Sequence, residues 1–176
     1  MTSSAARATI RTERLDLLPL RVEHAEEMAV VLSDPALHTF TGGTPDTAEA
    51  LRSRYRRLTA GSPDPAVSWA NWVIRLRAGS CLTGYVQATI RDSAAEIAWV
   101  VGTPWQGRGI ATEAVRALAD RLCGRPPYSV VAHIHPGHHA SAAVARAAGL
   151  TPTDVRHEGE IRWHRAPGPP GPTPGR

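Results

Sequence analysis

The sequence predicts a mixed α/β fold, an α+β domain built on one mixed sheet with helices packed against it. Three observations carry this expectation. The chain has 176 residues, the length of one domain and enough to bury a core. Its candidates follow in the order strand, two helices, three strands, helix, strand, helix, strand. The three consecutive strands are joined by links too short to hold helices. They therefore read as an antiparallel meander, which a purely parallel, doubly wound sheet does not contain.

Taken in order, residues 1–8 read as a flexible arm. Residues 14–20 form the first strand, in which Leu15 and Leu17 alternate with Asp16. Residues 22–32 form a helix with Ala25, Met28 and Leu32 on one side, and Pro35 ends it. A loop at 41–45 leads to a second helix, capped by Asp46 and running to Ala60. The meander occupies 69–76, 82–90 and 95–101. A glycine-rich turn then opens a helix whose Ala111, Val115, Leu118 and Leu122 share a face. There follow a strand at 129–135, an alanine-rich helix at 141–148 ended by Gly149, and a last strand at 160–165. Residues 9–165 thus make one folded domain, and the Pro/Gly-rich stretch 166–176 is expected to be a disordered tail.

Composition removes several function classes. All 20 residues counted as Lys or Arg are Arg. Without a lysine, neither Schiff-base chemistry nor a P-loop is available. A net charge of +4 is compatible with a polyanionic ligand but falls short of a nucleic-acid signature. Cys81 and Cys123 are far apart and form no CxxC, which speaks against a cysteine-based zinc or redox site. No apolar run suits a membrane span, and the first residues lack the core of a signal peptide. The expectation is a cytoplasmic protein with free thiols and no nucleic-acid or membrane partner.

The most informative segment is Gln106-Gly107-Arg108-Gly109-Ile110-Ala111-Thr112, between a strand and a helix. Small residues there admit a ligand close to the backbone. The N–H groups that open the helix lack intrahelical partners and sit at the positive end of its dipole, which suits a pyrophosphate. Arg108 can add a charge-assisted contact. A tight strand–helix turn with no ligand would have the same glycine content. A Rossmann turn fits poorly, because Thr112 stands in the place of the third glycine and the turn follows a meander.

The segment resembles motif A of the GNAT acetyltransferases, Gln/Arg-x-x-Gly-x-Gly/Ala, matched by Gln106, Gly109 and Ala111. Pro104-Trp105 before it and Thr112-Glu113-Ala114 after it are similar to the same family. Thr12-Glu13-Arg14-Leu15 with Pro19-Leu20, Asp34-Pro35, and the stretch from Ala140-Ser141 to Gly149-Leu150 resemble the RimJ/RimL-like subgroup. The matches extend from Thr12 to Trp163. The resemblance implies a mostly antiparallel seven-stranded sheet flanked by helices, whose fourth and fifth strands splay apart to admit a pantetheine arm. It implies acetyl-CoA as acyl donor. The pantetheine would lie on a bulged fourth strand that includes Trp99, Val100 and Val101. The pyrophosphate would lie on the turn, with Gln106, Gly107, Arg108, Gly109, Ile110, Ala111 and Thr112 as cofactor-site residues. No metal is expected, and a homodimer is compatible with the family.

Aminolysis of a thioester needs the reactants held together, an outlet for the amine's proton and help for the departing thiolate. Glu96 is the candidate base, on the strand face opposite Ile97, Trp99 and Val101, and Ala95-Glu96-Ile97 is part of the resemblance. The alternative is a plain exposed carboxylate at a strand end. Ser141 is the candidate acid, because it matches a serine of the RimJ/RimL-like pattern. The tyrosine that many family members carry four residues before the glycine is Ala145 here. A serine that opens a helix is equally a cap. His138 falls where the family has an asparagine that binds coenzyme A, which makes it a cofactor-site residue along with Ser141. His133 and His135 share a strand face, which suits metal ligands, a proton relay or a pocket wall. With Asn71 and Trp72 they are assigned to the acceptor pocket.

The reading that results is an acetyl-CoA-dependent N-acetyltransferase acting on a primary amine, whether a small molecule, an amino sugar or a protein N-terminus. A non-catalytic acyl-CoA-binding sensor on the same fold and a histidine–metal protein are the competing readings, since fold alone does not fix function.

Overall fold

The computed structural model describes residues 8–124 and 128–168. Most of the expected arm and tail lies outside them. Among the described residues eight strands join in one sheet. They are β1 (Ile10–Arg11), β2 (Leu15–Pro19), β3 (Val67–Leu76), β4 (Cys81–Arg91), β5 (Ala94–Val101), β6 (Ser129–Ile134), β7 (Thr151–His157) and β8 (Glu160–Arg165). Four α-helices accompany them, α1 (Ala25–Val31), α2 (Ala48–Ala60), α3 (Ile110–Leu122) and α4 (His139–Ala147). None is long and apolar enough to cross a membrane.

The spatial order is β1-β2-β3-β4-β5-β6-β8-β7. Every pairing is antiparallel except β5 with β6. That exception follows from the connection, because α3 carries the chain back to the same end of the sheet, as a parallel crossover requires. Strand alternation gives the sheet two apolar faces. Leu17, Trp72, Ile74, Ile97 and Trp163 pack with Val115 and Leu118 of α3 and Ala145 of α4. Val73 and Leu82 pack on the other side with Met28 and Val31 of α1 and Leu51 and Tyr55 of α2. Each fully buried Leu, Val or Met contributes about 1.5–3 kcal/mol relative to exposure.

The sheet has one strand more than the expected seven, the two-residue β1. The first helix opens with a 3-10 turn at Val22–His24. Thr47, not Asp46, caps α2, its Oγ1 accepting the Ala50 N–H at 3.1 Å. Asp46 instead pairs with Arg54 at 2.8 Å. Gly149 ends α4 as expected, with φ +85°. The Leu150 N–H returns to the Ala145 carbonyl and the Gly149 N–H to Arg146, a Schellman closure.

Two features of β5 position the site. It pairs with β6 only at Ala94, Ala95 and Glu96, and beyond Glu96 the strands part. This is the expected splay. The expected bulge is absent, for the β4–β5 register runs unbroken from Arg91↔Ala94 to Gly84↔Val101. Gly84 permits that regular ladder, since a Cβ there would lie 2.1 Å from the Val100 carbonyl oxygen.

Candidate active site

A cleft of about 580 Å³ opens where β5 and β6 part. Trp99, Val100 and Val101 form one wall, and His133 and Ile134 the other. The Gly102 N–H donates to the Thr83 carbonyl at 2.8 Å. By the alternation of an antiparallel ladder, Val100 then directs its backbone groups to β4, and Trp99 and Val101 turn theirs to the gap. Gln106 Nε2 donates to the Val101 carbonyl at 2.9 Å. What faces the gap is therefore a short strand edge able to pair with an extended amide chain.

The glycine turn lies at one end of the cleft. Gly107 and Gly109 have φ +72° and +76°, the left-handed region that side chains rarely adopt. Gly109 is the N-cap of α3 and makes no side-chain cap bond, so the N–H groups of the first turn keep their donor capacity. Gln106, Gly107, Gly109, Ile110, Ala111 and Thr112 all line the cleft. Arg108 does not line it; its carbonyl accepts from Arg14 Nη1 at 3.0 Å. Two segments singled out in the sequence meet this region from either side. Thr12 and Arg14 bind Glu113 in the first turn of α3. Burial pushes the Glu113 pKa up, but the bonds from Thr12 and Arg14 outweigh it and hold the carboxyl below its usual range. On the other side, Asp34 accepts from Thr103 Oγ1 at 2.6 Å, and that bond lowers its pKa.

At the start of α4 the cap is His138 and not Ser141. His138 Nδ1 accepts the Ser141 N–H at 3.2 Å, and Nε2 lies 3.2 Å from Ser141 Oγ. Burial, with His135 and His139 adding to it, pushes the His138 pKa down, which favours the neutral ring. A neutral ring that accepts at Nδ1 carries its proton on Nε2 and donates it to Ser141 Oγ. The serine's own proton then remains for another acceptor. Both residues line the cleft.

Glu96 and His133 meet on the opposite face, His133 Nδ1 standing 2.9 Å from Glu96 Oε1. The carboxylate fixes the ring proton on Nδ1 and leaves Nε2 as the acceptor. His133, unlike Glu96, lines the cleft. His135 also lines it, but its Nδ1 accepts the Gly137 N–H at 3.0 Å, so the two histidines serve different neighbours. Among the described residues no group of three or more His, Cys, Asp or Glu is arranged to hold a metal ion.

Asn71 and Trp72 stand apart from this cleft. They belong to β3, which β4 separates from β5, so their side chains do not reach the splay. Trp72 is 1% exposed in the core, with its indole N–H donating to the Ala8 carbonyl at 3.0 Å. Both border a second cavity of about 60 Å³. Conversely, the cleft includes residues that the sequence reading missed. Phe40, the only Phe, lies in the loop after the first helix with its ring 4.4 Å from that of His138 and 5.2 Å from that of His135. Glu160 reaches the cleft from the start of β8. An exposed aromatic beside Gly42-Gly43 was a usable signal for Phe40. Glu160 follows a two-residue hairpin turn, Glu158-Gly159, that becomes visible only once β7 is recognised.

Known proteins bear on this geometry. The family model for the acetyltransferase (GNAT) domain matches residues 14–151. No curated protein matches the chain. Among solved structures, the GNAT-family acetyltransferase from Bacillus anthracis superposes with a TM-score of 0.75 at 18% identity, covering 90% of this chain and 98% of that one. RimL, a ribosomal L7/L12 α-N-protein acetyltransferase in complex with coenzyme A, gives the same four values, 0.75, 18%, 90% and 98%. The microcin C7 self-immunity acetyltransferase MccE, in complex with acetyl-CoA and AMP, gives 0.71 at 17% identity, covering 88% and 93%. At such identities these likenesses speak for the fold, and the family match speaks for the lineage. On that match, over most of the folded residues, the chain belongs to the GNAT acetyltransferase family.

Proposed function

We propose that the protein transfers an acetyl group from acetyl-CoA to a primary amine by direct attack on the thioester. The observation that supports this best is the continuity of one cleft. It runs from the uncapped start of α3, along the free edge of β5, to Ser141 on one side and His133 on the other. The turn N–H groups suit a pyrophosphate, and the Trp99 and Val101 backbone suits the pantetheine amides. RimL with coenzyme A and MccE with acetyl-CoA, on the same fold, support the choice of donor.

In this reading the amine nitrogen bonds to the thioester carbonyl carbon and the C–S bond breaks. His133 Nε2 takes the amine's proton, while Glu96 holds the ring through Nδ1. The thiolate, with a pKa of about 8.5, needs little help to leave. Ser141 donates to it and regains its proton from solvent, with the hydroxyl turned by His138. Glu160 and Glu96 give the acceptor side a negative character that attracts a protonated amine. A small cationic amine, an amino sugar or a protein N-terminus all meet that description.

The test is thiol release from acetyl-CoA across a panel of primary amines, with the product identified by mass. At least one amine is expected to be acetylated. Glu96→Gln should slow that reaction at neutral pH by loosening the base, and His133→Ala should slow it about 100-fold, within the range for general base catalysis. Ser141→Ala should lower turnover more than acetyl-CoA affinity. Tight acetyl-CoA binding with no acetylated amine across the panel would make the protein an acyl-CoA sensor instead.

A further inference from the structure

The Thr12-Glu13-Arg14-Leu15 segment makes contacts that the proposed reaction does not use. Arg14 lies 99 residues from Glu113 in sequence, yet it binds the start of α3 through three groups. Its backbone N–H donates to Glu113 Oε1 at 2.8 Å, its Nε to Glu113 Oε2 at 2.7 Å, and its Nη1 to the Arg108 carbonyl at 3.0 Å. Thr12 Oγ1 adds a bond to Glu113 Oε1 at 2.5 Å. The guanidinium also lies under the turn, since a Cβ on Gly109 would stand 3.3 Å from Arg14 Nη2.

These contacts answer two needs of an anion-binding turn. A carboxylate in the first turn of a helix is drawn to the same positive end that a phosphate occupies, so a free Glu113 would compete with the ligand. Thr12 and Arg14 engage both of its oxygens. The second need is orientation. In a trans peptide the carbonyl and the next N–H point in opposite directions. Holding the Arg108 carbonyl on the Arg14 side therefore aims the Gly109 N–H at the other side. With left-handed glycines at 107 and 109 and no side-chain cap on α3, the turn itself does little to fix that peptide.

We infer that Arg14 is a positioning residue for diphosphate binding. It sets the Arg108–Gly109 peptide and holds Glu113 out of the anion site, and so it acts on the diphosphate end of the donor alone. The inference rests on the phosphate reading of the turn. A planar guanidinium reaches Glu113 and the Arg108 carbonyl at once through fixed donors, and a lysine ammonium does not reproduce that fork.

The test compares two donors, acetyl-CoA and S-acetylpantetheine, which lacks the diphosphate, in the wild type, Arg14→Ala and Arg14→Lys. The wild type is expected to bind acetyl-CoA more tightly. Both variants should raise the dissociation constant for acetyl-CoA about tenfold, the scale of one charge-assisted bond. Neither should change the dissociation constant for S-acetylpantetheine or the rate with saturating acetyl-CoA. Arg14→Lys keeps the charge beside Glu113 and serves if Arg14→Ala does not fold. Wild-type acetyl-CoA affinity in Arg14→Lys would reduce Arg14 to a mere charge and overturn the inference. Equal weakening of both donors would make it a general stabiliser and overturn it too. Equal binding of the two donors by the wild type would instead remove the phosphate reading on which it stands.

Discussion

His138 puts a group that can titrate at the start of α4, and the consequence is specific. Its Nδ1 accepts the Ser141 N–H only while unprotonated. Burial lowers its pKa, and His135 and His139 add to the effect, while Phe40 covers the ring from the loop. Turnover should therefore fall on the acid side with an inflection below 6.5, the ordinary histidine value. An asparagine can cap the helix without titrating, so His138→Asn should lessen the fall on the acid side. An unchanged acid limb in the variant would assign the titration to another group. At this scale the sequence was partly legible. Ser141, His138 and Glu96 could be picked out by type and position. Their pairings, His138 with Ser141 and Glu96 with His133, depend on distances between elements that spacing does not give.

The elements explain which residues could and could not be found. β5 and α3 carry strong patterns, an alternating strand and an amphipathic helix, and both lie where the sequence puts them. β7 escaped notice because it is an edge strand exposed along nearly its whole length, with Pro152 and Asp154 breaking any alternation. Trp72 lies in the core, away from the cleft, and the sequence could not tell this because a large aromatic reads the same whether it lines a pocket or fills a core. The wall of the cleft depends on Gly84, whose missing side chain lets β5 close on β4. Gly84→Ala should force the Val100 carbonyl away and cost about 1–3 kcal/mol, the usual range for overpacking. It should also weaken acetyl-CoA binding, since the displaced strand is the cleft wall. Unaltered stability, measured by chemical denaturation, would mean that the ladder relaxes freely there.

For the whole molecule, acid stability and ligand binding report on separate halves of the account. Asp16 is 2% exposed, and its carboxylate meets Arg11, Arg75 and Arg77. The Arg75 bond, opposed by burial and joined by those from Arg77 and Arg11, lowers its pKa to about 2. A carboxyl depressed in the folded state adds stability above its unfolded pKa and loses it as pH falls through the folded one. The loss should thus run from about pH 4 down to about pH 2 and amount to about 2 kcal/mol. Asp16→Asn should flatten that part of the stability profile and lower stability at neutral pH; matching profiles would clear Asp16 of the effect. The cleft is tested most directly by the melting temperature with and without acetyl-CoA. At a ligand concentration 100 times its dissociation constant, binding adds about 2.7 kcal/mol, which for a chain of this size raises the melting temperature by about 5–10 °C. A rise of that size is the predicted result, and no rise at millimolar acetyl-CoA would contradict the reading of the cleft as the donor site.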